Sequence, residues 1–198
     1  MAWAKHLLRY LRGTKCQGLT YRSGFPLYIQ IFTDASHASD IDTRRSITSI
    51  VIKVGGNTVY WKSSFTKIVS HSSTESELMA LDIGATLSEM VRWLIQAMGG
   101  PVQGTPEIFV DNTSTISISS NPVHSGRNLH VHARFYCVRD LVYDQKVRVE
   151  HLETSRQVAD IGCSNKGNLN FLTLRNYLIN CARVVLDEHQ VYVWEVYE

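Results

Sequence analysis

Leu27, Ile29 and Ile31 alternate with Tyr28, Gln30 and Phe32, a mixed apolar run that predicts a strand with both faces at least partly covered. The run ends in an acid, Thr33-Asp34-Ala35-Ser36, and the small neighbours of Asp34 leave room for something to approach its carboxylate. A carboxylate on a buried strand is costly unless it is paired or bound to a metal. Taken alone, an acid at a strand end is an ordinary cap or turn residue, so its meaning rests on partners elsewhere.

The pattern can be followed along the chain. Leu7, Leu8, Tyr10 and Leu11 lie at helical spacing within residues 2–12, and Gly13 is a natural stop. Residues 18–32 read as one or two strands divided by the turn-rich Ser23-Gly24-Phe25-Pro26. After Asp34 the polar segment 35–46 reads as a surface loop over a strand end, with Asp40, Asp42, Arg44 and Arg45 in it. Residues 47–54 and 58–62 predict two strands joined around Gly55-Gly56-Asn57, whose residue types accept the positive φ of a hairpin turn. Residues 71–77 offer serine and threonine caps with acids in the first turn. Met79, Ile83, Leu87, Met90, Leu94 and Met98 then continue at spacings of three and four until Gly99-Gly100-Pro101, predicting one long helix.

Residues 107–112 repeat the earlier design, an apolar strand ending in an acid, here Asp111, and a short helix follows over 113–119. Beyond it the expectation is a helix over 129–143, a strand over 146–152 with Val147 and Val149 on one face, and a turn into a helix carrying Asp160 over 153–161. A last helix is expected over 169–184 on Phe171, Leu172, Leu174, Tyr177, Leu178 and Ile179. Residues 191–198 are aromatic and β-prone and have no place in this order.

Three antiparallel strands, a helix and then a further strand make an α/β fold, because a strand after a crossover helix usually returns parallel to its sheet. The ends of the first and fourth strands would then be neighbours, with Asp34 beside Asp111 and helices delivering Glu77 and Asp160. Carboxylates gathered this way repel one another and are tolerated with cations bound. Oxygen-only ligands point to magnesium or manganese.

Composition narrows the class. The chain has 198 residues, 44% of them hydrophobic and 19% charged, enough for one full domain with some flanking structure. Its apolar runs stay short of the roughly 18 to 20 residues that a membrane span needs, and the basic amphipathic start lacks the apolar core of a signal peptide. A formal net charge of +2 permits a nucleic-acid partner without demanding one. Cys16, Cys137, Cys163 and Cys181 are scattered, which suits a reducing compartment better than a disulfide framework. His130, His132 and Cys137 do not have a recognised zinc-ligand spacing.

TDASHASD followed by DTRRSITS, then GGNTVYWKSS, SSTESELMAL, VDNTSTISIS, NPVHSGRNLHVHARFYCVRDL and HLETSRQVADI stand in that order. Together they resemble the ribonuclease H domain of copia-type LTR retrotransposon polyproteins, from about residue 4 to about residue 179. The start, AKHLLRYLRGTKCQGLTYRS, is similar to the segment that joins the reverse transcriptase to the ribonuclease H in that family. The resemblance implies a ribonuclease H-like mixed sheet, three antiparallel strands and two parallel ones flanked by helices. It divides the chain into a connecting segment at 1–24, the ribonuclease H domain at 25–166 and a C-terminal helix and tail at 167–198.

The same resemblance implies four acids, which fall on Asp34, Glu77, Asp111 and Asp160, with Glu75 the competitor for the helix position. It implies two Mg2+ ions, or Mn2+, activating water for hydrolysis of the RNA strand of an RNA/DNA hybrid during reverse transcription. The reverse transcriptase portion of the same polyprotein would be its partner, in a cytoplasmic virus-like particle or the nucleus. Ser36, Ser73, Asn112 and Ser114 are candidate contacts to substrate backbone and hydroxyls, and Arg44, Arg45, Lys62 and Lys67 candidate phosphate contacts. Each of these is also readable as a cap, a turn residue or a solvated charge. His151 is a candidate proton shuttle or a locally bonded strand-end histidine.

Departures from the family pattern are Ile161-Gly162-Cys163-Ser164-Asn165-Lys166 after the last acid, His132 where an aspartate is usual and Tyr136 where a histidine is usual. Two other classes of function stay open at this point. One is a catalytically decayed or co-opted module that binds or supports; the other is a DNA nuclease of related fold.

Overall fold

The apolar run at 29–36 becomes the central strand of the sheet, β1 (Ile29–Ser36), with neighbours on both edges. The structure, a computed structural model, describes residues 2–120, 129–164, 168–180, 183–186 and 192–195, with side chains over 4–119, 136–164 and 169–180. β2 (Ile47–Val54) runs antiparallel to β1 and to β3 (Asn57–Phe65), while β4 (Glu107–Val110) and β5 (Arg148–His151) are added in parallel, giving the order β3-β2-β1-β4-β5. Gly55 and Gly56, at φ of 54° and 76°, form the turn between β2 and β3 that only left-handed backbone can close.

Alternation along β1 sends side chains to two separate cores. Ile29 and Ile31 join Ile50, Ile52, Ile108 and Val110 under α2 (Ser73–Ala97). Phe32 joins Val51, Val158, Ala159 and Tyr177 on the other face, under a 3-10 turn at Val158–Gly162 and α5 (Asn168–Leu178). Burying each large aliphatic or aromatic side chain stabilises the sheet by about 1.5 to 3 kcal/mol. That is why the central strand can carry apolar residues on both sides and still hold one acid near its end.

Among the described residues the remaining α-helices are α1 (Ala2–Gly13), α3 (Thr113–Ser120) and α4 (Leu129–Tyr143), close to the predicted positions. The order of elements agrees with the sequence reading, and differences lie in detail. Residues 18–22 form no strand; there the chain is held by side chains and a turn, Thr20 N–H donating to the Ile179 carbonyl at 3.1 Å and Arg22 N–H to Asn57 Oδ1 at 2.8 Å, while Asn180 Nδ2 and Asn57 Nδ2 donate to the carbonyls of Thr20 and Arg22. β3 runs to Phe65, beyond the expected end at 62. α5 ends at Leu178, short of 184, because Asn180 turns left-handed at φ 59°. Its last carbonyls are taken by the sheet: Lys53 Nζ donates to Tyr177 O at 2.8 Å and Thr58 Oγ1 to Leu178 O at 2.7 Å. The β-prone tail pairs β7 (Tyr192–Glu195) with β6 (Arg183–Leu186) in a separate antiparallel ribbon.

The largest correction concerns α2. Of the predicted stripe, Met79 is buried and Leu87 partly so, while Ile83, Met90, Leu94 and Met98 are 39 to 71% exposed. The face against the sheet is built from Ala80, Leu81, Gly84, Ala85, Ser88, Val91 and Ile95. Small side chains let the helix axis approach the strands: a Cβ on Gly84 would lie 2.6 Å from Thr33 Cγ2. Close approach selected the face, and side-chain size alone did not reveal it.

Candidate metal centre

β1 and β4 are parallel neighbours, so the acids at their C-terminal ends arrive together. Asp34 is the sixth residue of β1 and Asp111 follows the last residue of β4. The first turn of α2 crosses over them and brings Glu77, whose Oε1 accepts the Ala35 amide at 3.3 Å. One oxygen from each of Asp34, Glu77 and Asp111 lies within 4.8 Å of the others. Asp34 and Glu77 are each 6% exposed.

Glu75 does different work. Ser72 caps α2 by accepting the Glu75 amide at 3.1 Å, and the Glu75 carboxylate reaches back to the His71 amide at 2.6 Å. The arrangement is like a capping box, except that Glu75 takes the amide of the residue before the N-cap and not that of Ser72 itself. The Glu75 carboxylate is therefore spent on the helix end, and Glu77, half a turn further on, faces the strand ends.

Electrostatics follow from the crowding. Two carboxylates about 5 Å apart repel by roughly 3 kcal/mol even at an effective dielectric near 20. Burial, then the neighbouring Asp34 and Asp111 carboxylates, push Glu77 to about 9; burial, then Asp160 and Asp111, push Asp34 to about 6. Glu77 Oε2 is buried and finds no hydrogen-bond partner among the described residues. A buried, unpartnered carboxylate oxygen facing two more acids is what a divalent cation with hard oxygen ligands requires, so this donor set fits magnesium or manganese.

Asp160 stands apart from that trio. It is 6% exposed and is the second cause, after burial, of the raised Asp34 value, so it is close to Asp34. Its Oδ1 accepts the Ser164 hydroxyl at 2.7 Å, and it contributes no oxygen to the set within 4.8 Å. The carrier of Asp160 is a 3-10 turn rather than the α-helical start expected, clamped at both ends. Gln157, fully buried, donates through Nε2 to Thr33 O at 3.0 Å and Phe109 O at 3.1 Å, tying β1 to β4 just before their acids. At the other end Cys163 Sγ lies 3.3 Å from Asp34 O, and Ser63 Oγ donates to Gly162 O at 2.6 Å.

Gln157 is not foreseeable from sequence, where a lone glutamine carries no periodic or compositional signal. Thr154, in the HLETSRQVADI stretch, is a second residue that sequence reasoning does not single out; its hydroxyl donates to Asp111 Oδ2 at 3.0 Å. The candidate substrate residues ring the acids unevenly. Ser36 is half-buried at the end of β1, and Ser73 is exposed at the start of α2. Asn112 Oδ1 caps α3, accepting the amides of exposed Ser114 at 3.0 Å and of Thr115 at 3.2 Å. Arg44 and Arg45 are exposed on the loop between β1 and β2, Lys62 and Lys67 are exposed on and after β3, and His151 is exposed at the end of β5 opposite Val110. Tyr136 is half-buried; the side chains of His130 and His132 and all of 165–166 lie outside the described residues. Among the described cysteines, Cys16, Cys137 and Cys163 are free thiols.

No protein-family model matches the chain. Curated relatives do. It is 32% identical over 158 residues to the retrovirus-related Pol polyprotein from transposon TNT 1-94 of Nicotiana tabacum, covering 79% of this chain and 12% of that protein. It is 32% identical over 159 residues to the retrovirus-related Pol polyprotein from transposon RE1 of Arabidopsis thaliana, covering 79% of this chain and 11% of that one. The chain thus spans about a tenth of the length of these relatives. Among solved structures it is similar to LC11-RNase H1 isolated from compost, at a TM-score of 0.51 and 16% identity over 69% of this chain and 92% of that one. It is also similar to LC11-RNase H1 in complex with an RNA/DNA hybrid, at a TM-score of 0.50 and 16% identity over 67% and 91%. At such identity the likeness is one of fold, and the fold is ribonuclease H-like.

Proposed function

Because the chain belongs to the retrovirus-related Pol polyproteins, in the ribonuclease H region of their copia-type members, we propose that it is a metal-dependent endoribonuclease acting on the RNA strand of RNA/DNA hybrids. The observation that carries this reading is the meeting of three carboxylate oxygens within 4.8 Å at the ends of two parallel strands. Asp34, Glu77 and Asp111 would hold the cations, with Asp160 the fourth acid beside Asp34. Paired magnesium or manganese ions, when bound, supply an activated water and stabilise the leaving oxygen of an in-line phosphodiester hydrolysis.

The side chains of the protein have three tasks in this scheme. Glu77, held protonated at neutral pH by burial and the neighbouring carboxylates, would have to give up that proton to hold a cation, which would couple cation binding to pH. Exposed Ser73 and Ser114 and the amide NH2 of Asn112, whose oxygen is occupied as a cap, are donors suited to ribose hydroxyls and backbone oxygens in a shallow minor groove. Ser36 adds a hydroxyl at the strand end, and Arg44 and Arg45 attract phosphates from the loop above it. The reverse transcriptase portion of the same polyprotein would deliver the hybrid.

Cleavage of a hybrid carrying labelled RNA, set beside a DNA duplex of the same sequence, tests the reading. Expected are RNA cleavage with Mg2+, loss under EDTA, recovery on adding Mg2+, and loss in Asp34→Asn. Cleavage that persists under chelation or in Asp34→Asn, or equal cutting of both duplexes, would overturn it.

A further inference from the structure

Next to Glu77 along α2, Ser76 belongs to a second polar cluster that the metal chemistry does not use. Ser46, Ser70 and Ser76 are 0%, 3% and 0% exposed, and their hydroxyls form a closed triangle, with Oγ to Oγ distances of 2.8 Å for Ser46 to Ser70, 3.0 Å for Ser46 to Ser76 and 2.7 Å for Ser70 to Ser76. The Nδ1 atom of His37 stands 3.1 Å from both Ser70 Oγ and Ser76 Oγ. Ser46 Oγ also accepts the Ala38 amide at 3.2 Å, and Ser76 Oγ is 3.1 Å from the Ser72 carbonyl. Four separate stretches of chain therefore meet here: the end of β1, the entry to β2, the loop after β3 and the first turn of α2.

Protons are scarce in this cluster. The triangle, the two contacts to Nδ1 and the contact to Ser72 O each need a hydrogen, and the three hydroxyls supply only one apiece. If Nδ1 were an acceptor, a serine would have to leave the triangle to serve it. If Nδ1 carries the proton, five of these six contacts are served: the hydroxyls close their cycle while the ring donates into it, shared between Ser70 and Ser76, and only the contact of Ser76 to the Ser72 carbonyl goes without a hydrogen. That arrangement also leaves Ser46 a lone pair for the Ala38 amide.

Ser76 immediately precedes Glu77, and His37 lies two residues beyond Ala35, whose amide holds Glu77 Oε1. The cluster is thus a second tie between the end of β1 and the first turn of α2, parallel to the bond that sets Glu77 over Asp34. We propose that His37, in its Nδ1–H form, is a positioning residue that locks the buried serine triangle and thereby holds Glu77 in the carboxylate trio; the proposal rests on the metal-dependent reading above and assigns His37 a part in it.

Four measurements test it. In the wild-type protein, two-bond 15N–1H correlations of the imidazole should report the Nδ1–H tautomer; an Nε2–H tautomer overturns the proposal without any variant. Hydrogen exchange at the Ala35 amide should quicken in His37→Ala and stay slow in His37→Asn, whose side-chain NH2 falls where the Nδ1–H stood. His37→Ala should weaken Mn2+ binding by calorimetry, and lower kcat on hybrid with KM little changed, each by about tenfold, as loss of a supporting partner commonly does, while His37→Asn retains both. Wild-type Mn2+ affinity and amide protection in His37→Ala would sink it. If the wild-type chain neither binds Mn2+ nor cuts hybrid, the functional reading fails, and the tautomer and the Ala35 amide still decide the role of His37.

Discussion

Glu77 and Glu75 sit two residues apart on one helix and are both buried, yet their surroundings assign them opposite tasks. Glu75→Ala removes the bond to the His71 amide and should cost about 1 kcal/mol in urea denaturation, as lost helix caps do, with hybrid cleavage largely kept. On the proposed function Glu77→Gln would remove a cation ligand and should cost several kcal/mol of transition-state stabilisation, a fall of about a thousandfold in kcat. Equal losses of activity in both would show the two roles to be misassigned. The pH dependence of stability is set by the same site. Glu77 and Asp34 have folded values raised to about 9 and about 6, above 4.5 and 3.8, so the unfolded chain binds fewer protons between those limits. Their contribution is fully present below about 4 and is lost as pH rises through 6 and then 9. In EDTA the urea midpoint should therefore fall between pH 5 and pH 9, and Mg2+ should restore more stability at pH 9 than at pH 5. Glu77→Gln should flatten the EDTA profile.

At the scale of elements, the packing of α2 on β1 is what carries Glu77 to the strand ends. Gly84 is its closest point, and two effects of Gly84→Ala oppose each other. Helix propensity favours alanine by about 1 kcal/mol. Forcing a methyl group to 2.6 Å from the buried Thr33 Cγ2 and 3.3 Å from Ile31 Cγ2 costs typically 1 to 3 kcal/mol. Both neighbours are branched side chains on the central strand and have little room to yield, so the clash should win. Gly84→Ala is expected to lower the urea midpoint and also to weaken Mg2+ activation, because α2 must move away from β1. An unchanged or raised midpoint would mean that the helix has slack at this point.

At the scale of the whole molecule, charge decides how a nucleic acid would be met. A net charge of +2 gives little general attraction, so binding should depend on a few exposed cations such as Arg44 and Arg45 on the loop after β1. Arg44→Ala with Arg45→Ala should weaken hybrid binding across sequences and reduce the slope of log affinity against log salt by about two, one for each phosphate no longer neutralised. A slope equal to that of the parent chain would remove these arginines from the interface. Among the described residues no helix is long and apolar enough to cross a membrane.

The order of elements, the hairpin at Gly55-Gly56 and the acids at the ends of β1 and β4 were legible in the chain because each depends on residues close in sequence: alternation, a turn with positive φ, an apolar run closed by a carboxylate. The resemblance already set Glu77 ahead of Glu75, but the physical difference between them, one carboxylate bonded at the helix end and the other at the strand end, needed both places in the same view. The buried face of α2 needed the distance between helix and sheet, which Gly84 and the alanines set and which no helical period contains. Asp160 is legible as an acid, but its bond to Ser164, its 3-10 turn and the Gln157 clamp beneath it join residues that only packing brings together. Local pattern determined which elements form and where their acids lie; contacts between distant segments decided which oxygens meet, since burial and repulsion act through space and not along the chain.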